Sequence, residues 1–161
     1  VLAAIARWSV DPRRLTVEVT ESATVDHGGV ALDRLNALRE AGLRVAIDDF
    51  GSGYSNLGQL LQVPFDAIKI DRSMLLTLSA MREQAGGDPP APCVIMEAIV
   101  TIAQTLRAPV VCEGVETAVQ RISLQRSGID YIQGYLTGRP EPAEHTTALL
   151  RSQASTMHMV A

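Results

Sequence analysis

The chain has 161 residues, 47% of them hydrophobic, which is enough to build the core of one domain or of a part of one. Its formal net charge of −4 and the lack of any basic block argue against a protein that binds DNA or RNA polymers. No apolar run approaches the ~20 residues that span a bilayer, and the sequence does not start like a secretory signal peptide.

The two cysteines bear on cellular location. Cys93 and Cys112 match neither a zinc-binding spacing nor a disulfide framework, so we predict a reducing cytoplasm. The sequence begins at Val1 rather than at a methionine, which suggests a fragment or an excised domain.

Short apolar runs rich in β-branched residues recur along the chain and predict strands. Because these runs are apolar on both faces, they are typical of a buried parallel sheet. In chain order the predicted strands are Leu15–Thr20, Arg44–Ile47, Ala67–Ile70, Pro109–Cys112 and the weaker Tyr131–Ile132.

Helical patterns lie between the strands. Leucines at helical spacing predict a helix that begins after an N-cap at Asp26 and ends at Gly42. Further helices are predicted at Ala3–Trp8, at Ile95–Leu106, around Ile122 up to Gly128, and around Leu149. The segment Gly86–Pro92 predicts a surface insertion, and residues 152–161 predict a frayed tail.

The alternation of strands and helices predicts right-handed βαβ units and a parallel sheet. No glycine-rich dinucleotide fingerprint follows a strand, which disfavours a Rossmann fold. Polar residues follow the strands instead, as at the active face of a TIM-type (β/α) barrel. We therefore predict an α/β fold containing about five of the eight barrel strands, with the domain at residues 1–151.

Carboxylates lie within or just after two of the predicted strands. Glu18 lies within an apolar strand, where an unpaired charge is costly, so it either pairs with an arginine or binds a metal. Asp48 and Asp49 follow an apolar strand and repel each other, which calls for a cation or a shared proton. The same pair followed by Gly51 is also typical of a turn with a helix cap.

Polar residues also mark the other three strands. Lys69 and Asp71 alternate along one strand, so they share a face, and lysine is almost never buried without a partner. Lys69 could orient water or stabilise phosphoryl oxygens, or it could form a structural ion pair. Glu113 and Gln133 follow the last two strands. Core packing does not explain five successive strands with such residues, so together they indicate a functional site.

Five segments in chain order resemble the motifs of the EAL-domain family. They are Glu18–Ser22, Ile47–Ser55, Ile68–Ser73, Cys112–Thr117 and Ile132–Leu136. That family comprises bacterial phosphodiesterases that open cyclic di-GMP to linear pGpG with Mg²⁺ or Mn²⁺, on a modified TIM barrel. The resemblance therefore implies a hydrolase of bacterial cyclic di-GMP signalling.

The resemblance also implies roles for individual residues. Glu18, Asp48 and Asp49 resemble metal ligands, with Asp48 bridging two ions. Lys69 resembles the lysine that holds the nucleophilic water, and Glu113 resembles a further acid of the metal-and-water site, so we predict both to be catalytic.

Three more residues match the family pattern. Asp71 and Gln133 resemble polar groups near the water and the substrate, so we predict them to bind substrate. Glu21 resembles the glutamate that stabilises the loop Phe50–Ser55. Because that loop links the metal site to a dimer contact in the family, the resemblance implies a homodimer in the parent protein.

Two ligand-bearing motifs of the family do not occur in this sequence. They are the Glu-Ala-Leu motif and the asparagine of an Asn-Leu-Ser segment, because the sequence begins just before the fourth barrel strand. We therefore expect this chain alone to lack turnover. We also expect open strand edges at Leu15–Thr20 and Tyr131–Ile132 and an exposed apolar barrel-facing surface, which favour an oligomer or a poorly behaved monomer.

Three interpretations compete. The first is an active phosphodiesterase recorded without its start, with a diguanylate-cyclase or sensory domain upstream as is common in the family. The second is a degenerate EAL domain that acts as a non-catalytic cyclic di-GMP receptor or a protein-interaction module. The third is an unrelated metal-dependent TIM-barrel enzyme, which the five ordered motifs disfavour. The presence of the acidic residues and of Lys69 favours the first.

Overall fold

The computed structural model of the chain describes residues 1–20, 28–51, 62–77 and 91–157. In chain order its elements are helix α1 (Leu2–Trp8), strand β1 (Thr16–Thr20), helix α2 (Gly28–Glu40), strands β2 (Arg44–Phe50) and β3 (Ala67–Ile70), helix α3 (Ala91–Thr105), strand β4 (Val110–Cys112), helix α4 (Ala118–Arg126), strand β5 (Tyr131–Ile132) and helix α5 (Ala143–Met157). A short helix also covers residues 72–77. The predicted N-cap Asp26 and residues 86–90 of the predicted insertion lie outside the described residues.

The five strands form one parallel sheet in the order β1-β2-β3-β4-β5. Val17 of β1 pairs with Val45 of β2, and Lys69 of β3 pairs with Val111 of β4. This arrangement confirms the predicted α/β class and the predicted sequence of parallel strands. Among the described strands, β1 and β5 form the two edges.

The hydrophobic core lies between one face of this sheet and the helices. Ile47, Ile68 and Ile70 are completely buried there and pack with Met96 and Val100 of α3. Completely burying an isoleucine side chain contributes about 1.5–3 kcal/mol, so each of these three residues stabilises the fold substantially.

The opposite face of the sheet lines a cavity of about 270 Å³. Because side chains alternate along a strand, this face takes the residues that the core does not. Its lining consists of Thr16, Glu18, Arg44, Ala46, Asp66, Ala67, Lys69, Pro109, Val111, Tyr131 and Gln133. Charged and polar residues therefore interrupt the predicted apolar barrel-facing surface, and its effect on the behaviour of the isolated chain stays a prediction.

Two aspartates join neighbouring strands at their starts. Asp66 precedes β3 and accepts the N–H of Val45 in β2 at 2.9 Å. Asp130 precedes β5 and accepts the N–H of Val110 in β4 at 2.8 Å. Asp66 also accepts two hydrogen bonds from the guanidinium of Arg39, at 2.7 and 3.2 Å. Each aspartate satisfies an N–H near the start of a buried strand and so fixes the stagger of the next one.

The C-terminal helix passes through the predicted domain limit. Helix α5 continues beyond residue 151 to Met157. The limits of a domain at 1–151 and of a tail at 152–161 stay a prediction. Among the described residues, no helix is both long and apolar enough to cross a membrane.

Candidate active site

Parallel pairing brings the polar residues of neighbouring strands to one edge of the sheet. Glu18 lies beside Ala46 and Thr20 beside Asp48, so the carboxylates of β1 and β2 lie near the same end. Lys69 lies one position before the end of β3, and Glu113 directly follows β4. The carboxyl ends of parallel strands are where barrel enzymes place their active sites.

Lys69 lies at the centre of this edge. Its side chain is 8% exposed, and its Nζ lies 2.5 Å from Glu113 Oε1, 2.8 Å from Glu18 Oε1 and 3.1 Å from Asp48 Oδ1. Both interpretations of Lys69, an ion pair and a catalytic group, require such contacts. We call Lys69, Glu18, Asp48 and Glu113 the Lys69 cluster.

The electrostatics of the Lys69 cluster keep the ammonium charged. Desolvation by burial acts to lower the pKa of Lys69, but the hydrogen bonds to Glu113 and Glu18 and the nearby Asp48 carboxylate outweigh it and raise this pKa above its ordinary 10.5. Lys69 is therefore protonated at neutral pH and can donate hydrogen bonds, but it cannot accept a proton from water.

Asp48 has an oxygen that lacks a hydrogen bond. Although Oδ1 of Asp48 lies 3.1 Å from Lys69 Nζ, it is buried and accepts no well-aligned hydrogen bond from the described residues. A buried carboxylate oxygen in this state is costly unless a further partner, such as a cation, is present.

The bonding of β2 is irregular at the Asp-Asp pair. Ile47 pairs with Ile68 and Phe50 pairs with Ile70, so β2 advances three residues where β3 advances two. This is a β-bulge, and Asp49 within it adopts a left-handed backbone with φ 56°. Aspartate tolerates that conformation better than most residues, whereas alternation alone predicts a regular strand here. The bulge therefore changes where Asp49 can point.

The donor set fits a divalent cation by its chemistry. Glu18, Asp48 and Asp49 offer carboxylate oxygens, which Mg²⁺ and Mn²⁺ prefer. Three carboxylates against one ammonium leave the Lys69 cluster with two excess negative charges, and Asp48 has the orphaned oxygen. Within the described part of the chain, no three such side chains already surround one ion position. Glu18 and Asp48 instead face the Lys69 ammonium.

The other predicted site residues differ in their placement. Gln133 lines the same cavity as Glu18 and Lys69, and its backbone N–H donates to the carbonyl of Cys112 at 2.9 Å. Asp71 instead begins the helix at 72–77, where its carboxylate accepts the N–H of Ser73 at 2.7 Å. Hydrogen bonds from Ser73 lower the pKa of Asp71, as expected for a helix cap.

Substrate binding by Asp71 and Gln133 stays a prediction, as do the roles of the Lys69 cluster. The predicted contact of Glu21 with its loop lies outside the described residues.

Comparison with known proteins places this geometry in context. The family model described as the EAL domain matches residues 1–140. The chain belongs to the EAL domain family. It is 39% identical over 145 residues to the bifunctional diguanylate cyclase/cyclic di-GMP phosphodiesterase MucR of Pseudomonas aeruginosa, covering 90% of this chain and 20% of that protein. The chain thus spans about a fifth of that relative.

Solved structures of related proteins share this fold. The structure titled PaMucR phosphodiesterase, c-di-GMP complex, is 38% identical with a TM-score of 0.78, covering 90% of this chain and 56% of that one. The manganese/cy-diGMP complex of Klebsiella pneumoniae BlrP1 is 32% identical with a TM-score of 0.71, covering 84% of this chain and 32% of that one. These likenesses confirm the predicted partial barrel and the predicted family of phosphodiesterases.

Proposed function

We propose that this EAL domain, in the protein that carries it, hydrolyses cyclic di-GMP to linear pGpG with Mg²⁺ or Mn²⁺. The observation that carries the proposal is the Lys69 cluster, in which a protonated lysine meets three carboxylates at the carboxyl ends of parallel strands. The family membership supports the same substrate, since relatives are named as cyclic di-GMP phosphodiesterases.

Each residue of the proposed site would have a distinct task. Glu18, Asp48 and Asp49 would hold the ions through their carboxylate oxygens. When bound, the metal would supply positive charge at the phosphate and make a coordinated water more acidic. Lys69 would orient that water or a phosphoryl oxygen through its ammonium. Because Lys69 stays protonated, a carboxylate such as Glu113 would accept the proton of the water.

The chemistry is a displacement at phosphorus. The water oxygen bonds to the phosphorus while the bond from phosphorus to the ribose 3′-oxygen breaks, and that oxygen gains a proton. Gln133 and Asp71 would contact the substrate beside the reacting phosphate. The Glu-Ala-Leu and Asn-Leu-Ser motifs do not occur in the 161 residues, so the proposal concerns the protein that carries this chain.

The biological setting is proposed on the same basis. We expect a cytoplasmic, homodimeric protein in which a diguanylate-cyclase or sensory domain precedes the EAL domain. The relative MucR is named as bifunctional, which supports a multidomain arrangement.

The decisive test measures hydrolysis and binding on the same preparations. The protein that carries the domain is incubated with cyclic di-GMP and Mn²⁺ or Mg²⁺, pGpG is quantified by chromatography, and binding is measured by calorimetry with Ca²⁺. We expect turnover in the wild type and none in Asp48→Asn, with Glu141→Gln as the control because that carboxylate pairs with exposed His145. Binding without turnover in the wild type would favour the degenerate receptor instead.

A further inference from the structure

We infer that Arg72 is a positioning residue, which clamps the loop after β4 and so keeps Glu113 against Lys69. Arg72 directly follows Asp71 at the carboxyl end of β3. Asp71 caps the helix at 72–77 through Ser73, and the N–H of Met74 donates to the Asp71 carbonyl at 3.2 Å. The backbone from which Arg72 reaches out is therefore fixed by the cap.

The head of Arg72 contacts the loop at Glu116. A guanidinium nitrogen lies 2.7 Å from Glu116 Oε1, with the two side chains 48% and 38% exposed. Solvent screens a pair of this exposure, so it adds little to the stability of the whole fold. Its effect is instead local, because it joins the end of β3 to the loop that follows β4.

The stem of Arg72 contacts the same loop at Gly114. A Cβ built on Gly114 would lie 2.4 to 2.7 Å from the Cβ, Cγ and Cδ atoms of Arg72, so the stem lies directly on this backbone. Gly114 has φ 66°, a left-handed conformation that glycine adopts without strain. Since Gly114 follows Glu113, the conformation held under Arg72 decides where Glu113 points.

Glu113 is the residue on which this clamp would act. Its N–H donates to the carbonyl of Ile70 at 3.0 Å, and its carboxylate lies 2.5 Å from Lys69 Nζ. At the far end of the loop, Gln120 Oε1 accepts the N–H groups of Glu116 and Thr117 at 2.8 and 2.9 Å. Arg72 thus holds the middle of a loop whose ends are fixed to β3 and to α4.

The inference rests on the proposed function for its kinetic test. Arg72→Gln is expected to lower kcat about 10- to 100-fold, as is typical when a partner that orients a site residue is removed, with little change in KM. In a Glu113→Gln background the same change should have almost no further effect, because Arg72 acts through Glu113. Arg72→Lys should restore part of the rate.

A second readout does not depend on activity. Hydrogen exchange at the amides of residues 114–117 should speed up in Arg72→Gln, while the amides of β3 stay unchanged. Arg13→Gln is the matched control, since it removes an exposed ion pair with Asp11 on another part of the chain. It should change neither exchange nor kcat.

The outcomes separate the two claims. If the wild type shows no turnover but exchange in the loop still rises in Arg72→Gln, the proposed function fails and the clamp stands. The clamp is overturned if exchange is unchanged, if KM alone rises, as expected for direct substrate contact, or if the effects of Arg72→Gln and Glu113→Gln on kcat are additive.

Discussion

Lys69→Met removes the ammonium that faces Glu18, Asp48 and Glu113 while keeping a side chain of similar length. Removing one partner of a fully buried ion pair costs about 3–5 kcal/mol, because the remaining charge is left without compensation. Here the carboxylates of Glu18, Asp48 and Glu113 are 49%, 23% and 24% exposed, so they can regain water. We therefore expect the free energy of unfolding to fall by about 2–3 kcal/mol, below the fully buried range.

The measurement is urea denaturation at pH 7 in the presence of a metal chelator, followed by circular dichroism. A shift of the midpoint at constant slope reports the change in stability. Arg39→Met is the matched control, because it removes the cation of an ion pair with Asp66 whose side chains are 39% and 29% exposed. We expect it to cost no more than about 1 kcal/mol.

The pKa of Lys69 determines how this difference depends on pH. Because the folded-state pKa is raised above the ordinary 10.5, the stabilisation by Lys69 is fully present below that pH. It is lost as the pH rises through the folded-state value. The difference between the wild type and Lys69→Met should therefore be constant across neutral and mildly alkaline pH, and shrink only in strong alkali.

Turnover separates a structural from a catalytic Lys69. Adding Glu113→Gln to Lys69→Met removes one unpaired carboxylate, so stability should partly return while turnover stays absent. If both stability and turnover returned in the double variant, Lys69 would be a structural counter-ion and not a catalytic residue. A stability loss in Lys69→Met no larger than in Arg39→Met would refute the argument from burial.

The isolated 161-residue chain should produce no pGpG with Mn²⁺ or Mg²⁺ by chromatography, and measurable turnover would show that the two ligand-bearing motifs, which do not occur in these residues, are dispensable. Burial raises the pKa of Cys112 to about 12, so in a Cys93→Ser chain this thiol should react with Ellman's reagent at pH 8 only as fast as the protein unfolds; rapid labelling would contradict the burial. Asp66→Ala should cost about 2–4 kcal/mol in urea denaturation because both the buried N–H of Val45 and Arg39 lose a partner. Asp130→Ala should lower the free energy of unfolding by about 1–3 kcal/mol, because only one buried N–H loses its partner. If Asp66→Ala and Asp130→Ala cost the same, the ion pair between Asp66 and Arg39 adds nothing to stability.

The sheet was predictable because its signal is local. Ala67–Ile70 and Tyr131–Ile132 match β3 and β5 at both ends, since β-branched runs between helical patterns mark buried strands. The prediction that Lys69 needs partners also followed from its apolar neighbours, because burial of an isolated ammonium is prohibitive. The register between neighbouring strands decides which carboxylates lie beside Lys69. The placement of these carboxylates at the strand ends indicated that register.

The remaining features depend on contacts between distant segments. Asp66 and Asp130 each bond to a strand about twenty residues away, which no local pattern announces. The cap made by Asp71 could have been predicted from its place before a helix, but alternation along β3 favoured a barrel-facing side chain. The mixed character of the barrel-facing surface follows from alternation, which places Arg44 and Lys69 on the opposite side of their strands from the buried aliphatic residues.

The bulge in β2 has a consequence for how such domains can change over generations. From Ile47 to Phe50 the chain advances three residues, while the paired segment of β3 advances two. The loss of one codon at Asp48 or Asp49 would therefore restore an even hydrogen-bonded ladder. We expect such a deletion to leave the sheet folded while removing one of the two adjacent acids. A single in-frame deletion would thus turn a catalytic domain of this kind into a folded domain without catalytic activity. Because the fold would lose little stability, selection for folding would not remove the deletion.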